Sequence, residues 1–133
     1  MNASKIRQVV YILLAVAGFV LTTYYLLQFI KVSEGEISFT NFLKFDWGRF
    51  FKGGFENPAA SFITVDVITG AVAYLVWMVP EARSLKMRHW WIYIVLVFAV
   101  SFAFSFPVFL FMRERKINKI KLSTETVKSD TLP

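Results

Sequence analysis

One carboxylate stands where charge is expensive. Asp66 lies inside the apolar run Pro58–Val79, which holds no other formally charged side chain. Water stabilises a carboxylate far better than hydrocarbon does, so Asp66 must face protein or water, or carry a proton. Ala59, Gly70 and Ala73, on the same helical side, are small enough to admit a second helix. Thr22, Ser101 and Ser105 fall near the same depth if their own apolar runs cross beside it. On the first of these, Ala15, Gly18, Thr22 and Tyr25 share a face. Pro107 has no N–H, which leaves the Ala103 carbonyl as a free acceptor. Asp66, Thr22, Tyr25, Ser101 and Ser105 are therefore the candidate ligand- or ion-binding residues. The ordinary alternative is a hydrogen-bonded anchor between helices, and residue type alone does not separate the two.

Other chemistry is sparse. His89 is the only histidine and sits beside basic residues, where a lipid headgroup contact outweighs a metal or haem site. There is no phosphate-cradling glycine loop, no nucleophile–base pair and no metal-ligand cluster. No cofactor or metal is expected, and the pattern points away from an enzyme. Without cysteine, disulfides and thiol chemistry are excluded.

The elements that position these residues are apolar and long. Val9–Ile30, Pro58–Val79 and Trp90–Met112 hold 22, 22 and 23 residues. At about 1.5 Å per residue each reaches roughly 33 Å, the thickness of a bilayer core. The expected fold is an all-α membrane protein with three transmembrane helices, 9–30, 58–79 and 90–112. Ala15-Val16-Ala17 resembles a signal-cleavage site, but the apolar run continues to Ile30, so the first helix reads as retained. Between the first two spans, Phe39, Phe42, Leu43, Trp47, Phe50 and Phe51 recur at spacings of three and four. That period predicts a short interfacial amphipathic helix over about 39–52, capped by Ser38 or Thr40 and closed by Gly53-Gly54. Asn57 and Pro58 are a favoured N-cap and first helical residue. Aquaporins place Asn-Pro-Ala on two facing half-helices; here the tripeptide occurs once, which capping explains.

Trp47, Trp77, Trp90 and Trp91 are the expected membrane-interface anchors. Residues 1–8 form a polar lead. Residues 113–133 read as a basic, then disordered tail, with Arg113, Arg115, Lys116 and Lys119 as lipid headgroup candidates. The expected partners are the lipid bilayer, anionic lipids in particular, and a homo-oligomer or larger membrane complex, with no nucleic acid. Three crossings put the first loop and the tail on one side, with ten of the 15 basic residues. Positive-inside asymmetry then makes that side cytoplasmic.

Asn57-Pro58, Asp66, Trp77-Met78, Glu81, Arg83, Leu85, Met87-Arg88, Trp90-Trp91, Pro107, Phe109-Leu110 and Arg113-Glu114 together carry a resemblance. Over residues 8–115 the chain resembles a family of small bacterial membrane proteins catalogued as domain of unknown function 2834. The resemblance implies a bacterial or plastid-type, multi-pass membrane protein of the inner (cell) membrane, and brings no activity. The leading expectation is a non-enzymatic accessory or assembly subunit of a membrane complex. The alternatives are an oligomeric proton- or cation-coupled transporter using Asp66, and a binder of lipid or isoprenoid between the interfacial helix and the spans.

Overall fold

The computed structural model describes residues 3–35, 39–44 and 46–130. Ser38 and Phe45, within or beside the expected interfacial helix, lie outside them. The described chain is all-helical: α1 Ala3–Glu34, α2 Phe39–Leu43, α3 Trp47–Gly53, α4 Pro58–Ser84, α5 Trp91–Ala99 and α6 Phe102–Asp130. Two of these, α1 and α4, are long and apolar enough to cross a membrane, not three.

The third apolar run breaks at Val100, whose dihedrals of φ −120° and ψ −77° leave the helix. Here α5 ends, the chain reverses, and α6 returns beside it. The Tyr93 and Phe109 rings lie 5.2 Å apart although sixteen positions separate them in sequence, a distance no continuous helix permits. The reversal has a local cause. Ser101 accepts a hydrogen bond from the Phe104 N–H at 3.1 Å and so caps the start of α6. Ser105 then donates to the Tyr93 carbonyl at 2.7 Å and ties the two arms. The result is a helical hairpin whose tip reaches only part-way along α1 and α4.

Partners along α6 fix the register of the bundle. Residues Gly70, Tyr74, Trp77 and Glu81 of α4 meet Phe102, Ser105, Phe109 and Arg113 in turn, so α4 and α6 run parallel. Residues Thr22, Gly18, Arg7 and Ser4 of α1 meet Ser101, Ala103, Glu114 and Asn118, so α1 and α6 run antiparallel. The tail therefore begins beside the N-terminus, at the opposite end of the bundle from the first loop. This corrects the expectation that tail and first loop share a side. The apolar run is long enough to cross, but it is spent on going in and coming back.

Other boundaries follow from caps. Asn57 accepts from the Ala60 N–H at 2.9 Å, with Pro58 first in α4, as the sequence predicts. Yet α4 does not stop at Pro80. A proline there forfeits one helical bond, to the carbonyl four residues earlier, and the next turn still closes. Lys86 takes a left-handed φ of 51°, while the Met87 and Lys86 N–H groups donate to the Ala82 and Arg83 carbonyls. That pair of bonds is the Schellman arrangement. The expected interfacial helix is two short ones, because Asp46 leaves helical geometry and its carboxylate accepts from the Arg49 N–H, capping α3. The tail stays helical to Asp130 rather than disordered. Its nucleus already exists in the bundle, so only propagation is needed, through mostly good helix formers as far as Leu122 and weaker ones beyond it.

The core lies between α4 and the hairpin. Tyr74, Met78, Ala82, Tyr93 and Phe109 are buried together, with Phe102 stacked on Phe106 at its rim. On the other side, α1 approaches α6 closely at Gly18. A Cβ at that position would overlap the Ala103 carbonyl, the acceptor that Pro107 leaves without a helical donor. Gly18→Val forces the helices apart and is expected to destabilise the protein by about 1–3 kcal/mol. Gly53→Ala, with open space around its Cβ, is the control. Thermal unfolding in mild detergent should lower the melting temperature for the first and not the second.

Candidate functional site

Three groups of polar side chains occupy distinct levels of the bundle. The deepest is the hydroxyl cluster at the hairpin. Ser105 is fully buried, donates to the Tyr93 carbonyl, and lies 3.4 Å from the Tyr74 hydroxyl. Thr22 donates to the Gly18 carbonyl at 2.7 Å and lies 3.5 Å from the Ser101 hydroxyl. Ser101 is itself engaged as the α6 cap. These groups satisfy backbone and one another, so what they do chemically is hold a turn. Among the described residues no buried side-chain oxygen or nitrogen lacks a partner.

Asp66 is elsewhere. It is exposed on α4, one turn beyond the Gly70 contact at the hairpin tip, in line with Phe62, Val65, Thr69, Ala73 and Val76, all exposed. These positions follow the three-and-four spacing of one helical face. The structure does not bring Asp66 to Thr22, Ser101, Ser105 or Tyr25, nor to an ion-pair partner among the described residues. Tyr25 is 68% exposed and meets Tyr24 edge-on at 5.3 Å. Of the small residues expected beside Asp66, Ala59 and Ala73 are exposed with it, whereas Gly70 turns toward Phe102.

The third group is a charged collar where the N-terminus, the end of α4 and the start of the tail meet. Arg7 donates to Glu114 at 2.6 Å, and Arg113 donates to Glu81 at 2.6 Å. Arg113 also lies over Trp77, and Arg83 over Trp90 at 4.8 Å. The headgroup candidate Arg113 is thus a structural tie. Arg115 packs on the Phe111 ring, and Lys119 is exposed. Trp47, Trp77 and Trp91 are exposed, Trp90 half-buried. Sequence reasoning missed Glu114, a buried acid held by two segments far apart in sequence. The signal was the run Arg113-Glu114-Arg115, in which Arg113 reaches α4, Glu114 reaches α1 and Arg115 stays exposed.

The family described as "Protein of unknown function DUF2834" matches residues 10–115. The chain belongs to this family. Neither a curated protein nor a solved structure matches it. The family match ends at Arg115, so it takes in Asp66, the hairpin and Glu114 and leaves out most of the tail.

The hydrogen bond from Arg7 holds the Glu114 carboxyl below its ordinary range. A carboxyl lowered on folding stabilises the native state above its unfolded pKa, and the gain is lost as pH falls through the folded value. The melting temperature of wild type should therefore exceed that of Glu114→Gln at neutral pH. The difference should begin to shrink as pH falls below about 4, the unperturbed glutamate range, and vanish below the lower folded value. Because the Arg7 side chain is 53% exposed, added salt should narrow it as well.

Proposed function

We propose that this protein is an integral membrane subunit that crosses the bilayer twice, through α1 and α4, with the α5–α6 hairpin entering and leaving from one side. The tie of Arg7 to Glu114 carries this reading, since it keeps the tail at the N-terminal end. The charge distribution agrees with it. The N-terminus, the turn after α4 and the tail hold eleven of the 15 basic residues, and the first loop with its flanks holds four. Positive-inside asymmetry then places both termini in the cytoplasm and α3 on the far side. The chain has no cysteine, so single introduced thiols report the sides directly. In right-side-out vesicles an impermeant maleimide should label Lys52→Cys, while Ala3→Cys and Ser129→Cys should react only in inverted vesicles. Labelling of Lys52→Cys and Ser129→Cys from one side would restore the three-crossing arrangement.

Its role, in this reading, is that of an accessory subunit docking through the outer face of α4. Asp66 supports it: an exposed carboxylate on an apolar helix, without a partner of its own, is a demand for a polar group from outside. Phe62 and Val76, 76% and 71% exposed, flank it with apolar surface. A second protein offering a hydroxyl, amide or cation at that depth satisfies both. Native mass measurement in mild detergent should give a species heavier than the 15.4 kDa chain. Asp66→Ala should weaken the association by about tenfold or more, the loss expected for a charge-assisted hydrogen bond. A monomeric wild type rejects the subunit role.

A further inference from the structure

The hairpin tip stops at the level of Gly70 and Thr22, but α1 and α4 continue beyond it. Nothing from the hairpin separates them there, and α3 lies across the gap. Phe29 and Phe50 join α1 to α3 edge-to-face at 5.3 Å. The Thr64 hydroxyl joins α4 to the end of α3 by donating to the Gly54 carbonyl at 2.8 Å. Between these two ties is a cleft of about 710 Å³, within the range of small-molecule sites. Its wall is apolar, with Phe51, Ile63, Val67 and Ile68, and two charged residues also line it, Arg49 and Glu56. Among the described residues these two form no ion pair with each other or with a third group.

An apolar cleft carrying a cation and an anion that form no ion pair among the described residues fits an amphiphile with both charges in its head. We propose that the cleft binds a single zwitterionic phospholipid of the phosphoethanolamine class, its phosphate at Arg49, its ammonium at Glu56 and an acyl chain between α1 and α4. A guanidinium matches phosphate oxygens in planar, paired hydrogen bonds. The carboxylate gives the ammonium an acceptor that an anionic glycerol head lacks a cation to use. The apolar wall supplies affinity in proportion to the methylenes it covers. Edge-to-face aromatic rings at Phe29 and Phe50 close the side of the cleft under α3. The cleft is distinct from the outer face of α4 that bears Asp66: Asp66 does not line it, and Val67 and Ile68 are turned from Asp66 by about 100° and about 160° round the helix, with Ile63 at the border between the two.

The inference rests on the membrane-spanning reading above, and one experiment separates the two. The full chain is reconstituted in nanodiscs of equimolar phosphatidylethanolamine and phosphatidylglycerol, released into mild detergent, and weighed by native mass spectrometry. One phosphatidylethanolamine per chain should remain bound. Arg49→Gln and Glu56→Gln should each lower its retention by about tenfold, and Val67→Trp, which fills the cleft, should remove it. All three variants should keep the wild-type melting temperature; where Val67→Trp does not, the two charge variants decide. Equal or preferential retention of phosphatidylglycerol overturns the headgroup assignment. No retained lipid, or retention unchanged in the charge variants, overturns the site. A chain that never enters the nanodisc fails the membrane reading instead.

Discussion

The fold depends on turning the chain back within an apolar run without abandoning backbone polar groups. At Val100–Ser101 the helical ladder stops, and the carbonyls and N–H groups it releases need other partners. Two serines four residues apart hold this turn. Ser101 takes up an N–H at the start of α6, and Ser105, donating to the Tyr93 carbonyl within α5, ties the two arms together. Once the turn is satisfied, the rest is arranged around it. Phe102, Phe106 and Phe109 face α4, Ala103 faces Gly18, and Glu114 emerges beside Arg7.

The same turn divides the molecule into a packed half and an open half. Below the tip, α4 and the two arms of the hairpin share a core rich in aromatic rings, and α1 packs on the outer side of α6. Above it, α1 and α4 are held apart and bridged by short α3 through one ring contact and one hydroxyl. The polar groups in the packed half are consumed by structure. Of the charges at the candidate sites, Asp66 on the outside of α4, and Arg49 and Glu56 at the cleft, have no ion-pair partner among the described residues. Binding is therefore to be sought where the fold leaves charge unanswered, and both places lie outside the core.

Much of this was legible in the residues, and the exceptions have physical causes. Asn57-Pro58 marks the start of α4 because capping is local, and Gly53-Gly54 closes α3 for the same reason. The hairpin was not legible from length, since 23 apolar residues suit one crossing as well as two half-crossings. Ser101 followed by an N–H to cap, six residues before Pro107, was the available clue, but serine inside an apolar run equally suits a ligand. Misplacing the turn also misplaced the tail, and with it the sum of charge at each end. Asp66 stands out from the sequence as the one carboxylate in an apolar run. Its neighbours were not, because depth places residues at one level without saying which face of a helix each occupies. Asp46 broke the expected interfacial helix by competing for the N–H of Arg49, a choice the three-and-four spacing of apolar residues does not register.

The partial depth of the hairpin has a consequence for the lipids around it. In the twice-crossing arrangement proposed above, the molecule fills one leaflet with four helical segments and the other with two, beside the short α2 and α3. Its cross-section tapers, so it displaces more lipid area on the side of its termini than on the side of α3. A tapered inclusion is not indifferent to membrane shape. It fits best where one leaflet is stretched relative to the other, and a row of such bodies, aligned through any common face, imposes a bend in the sheet that holds them.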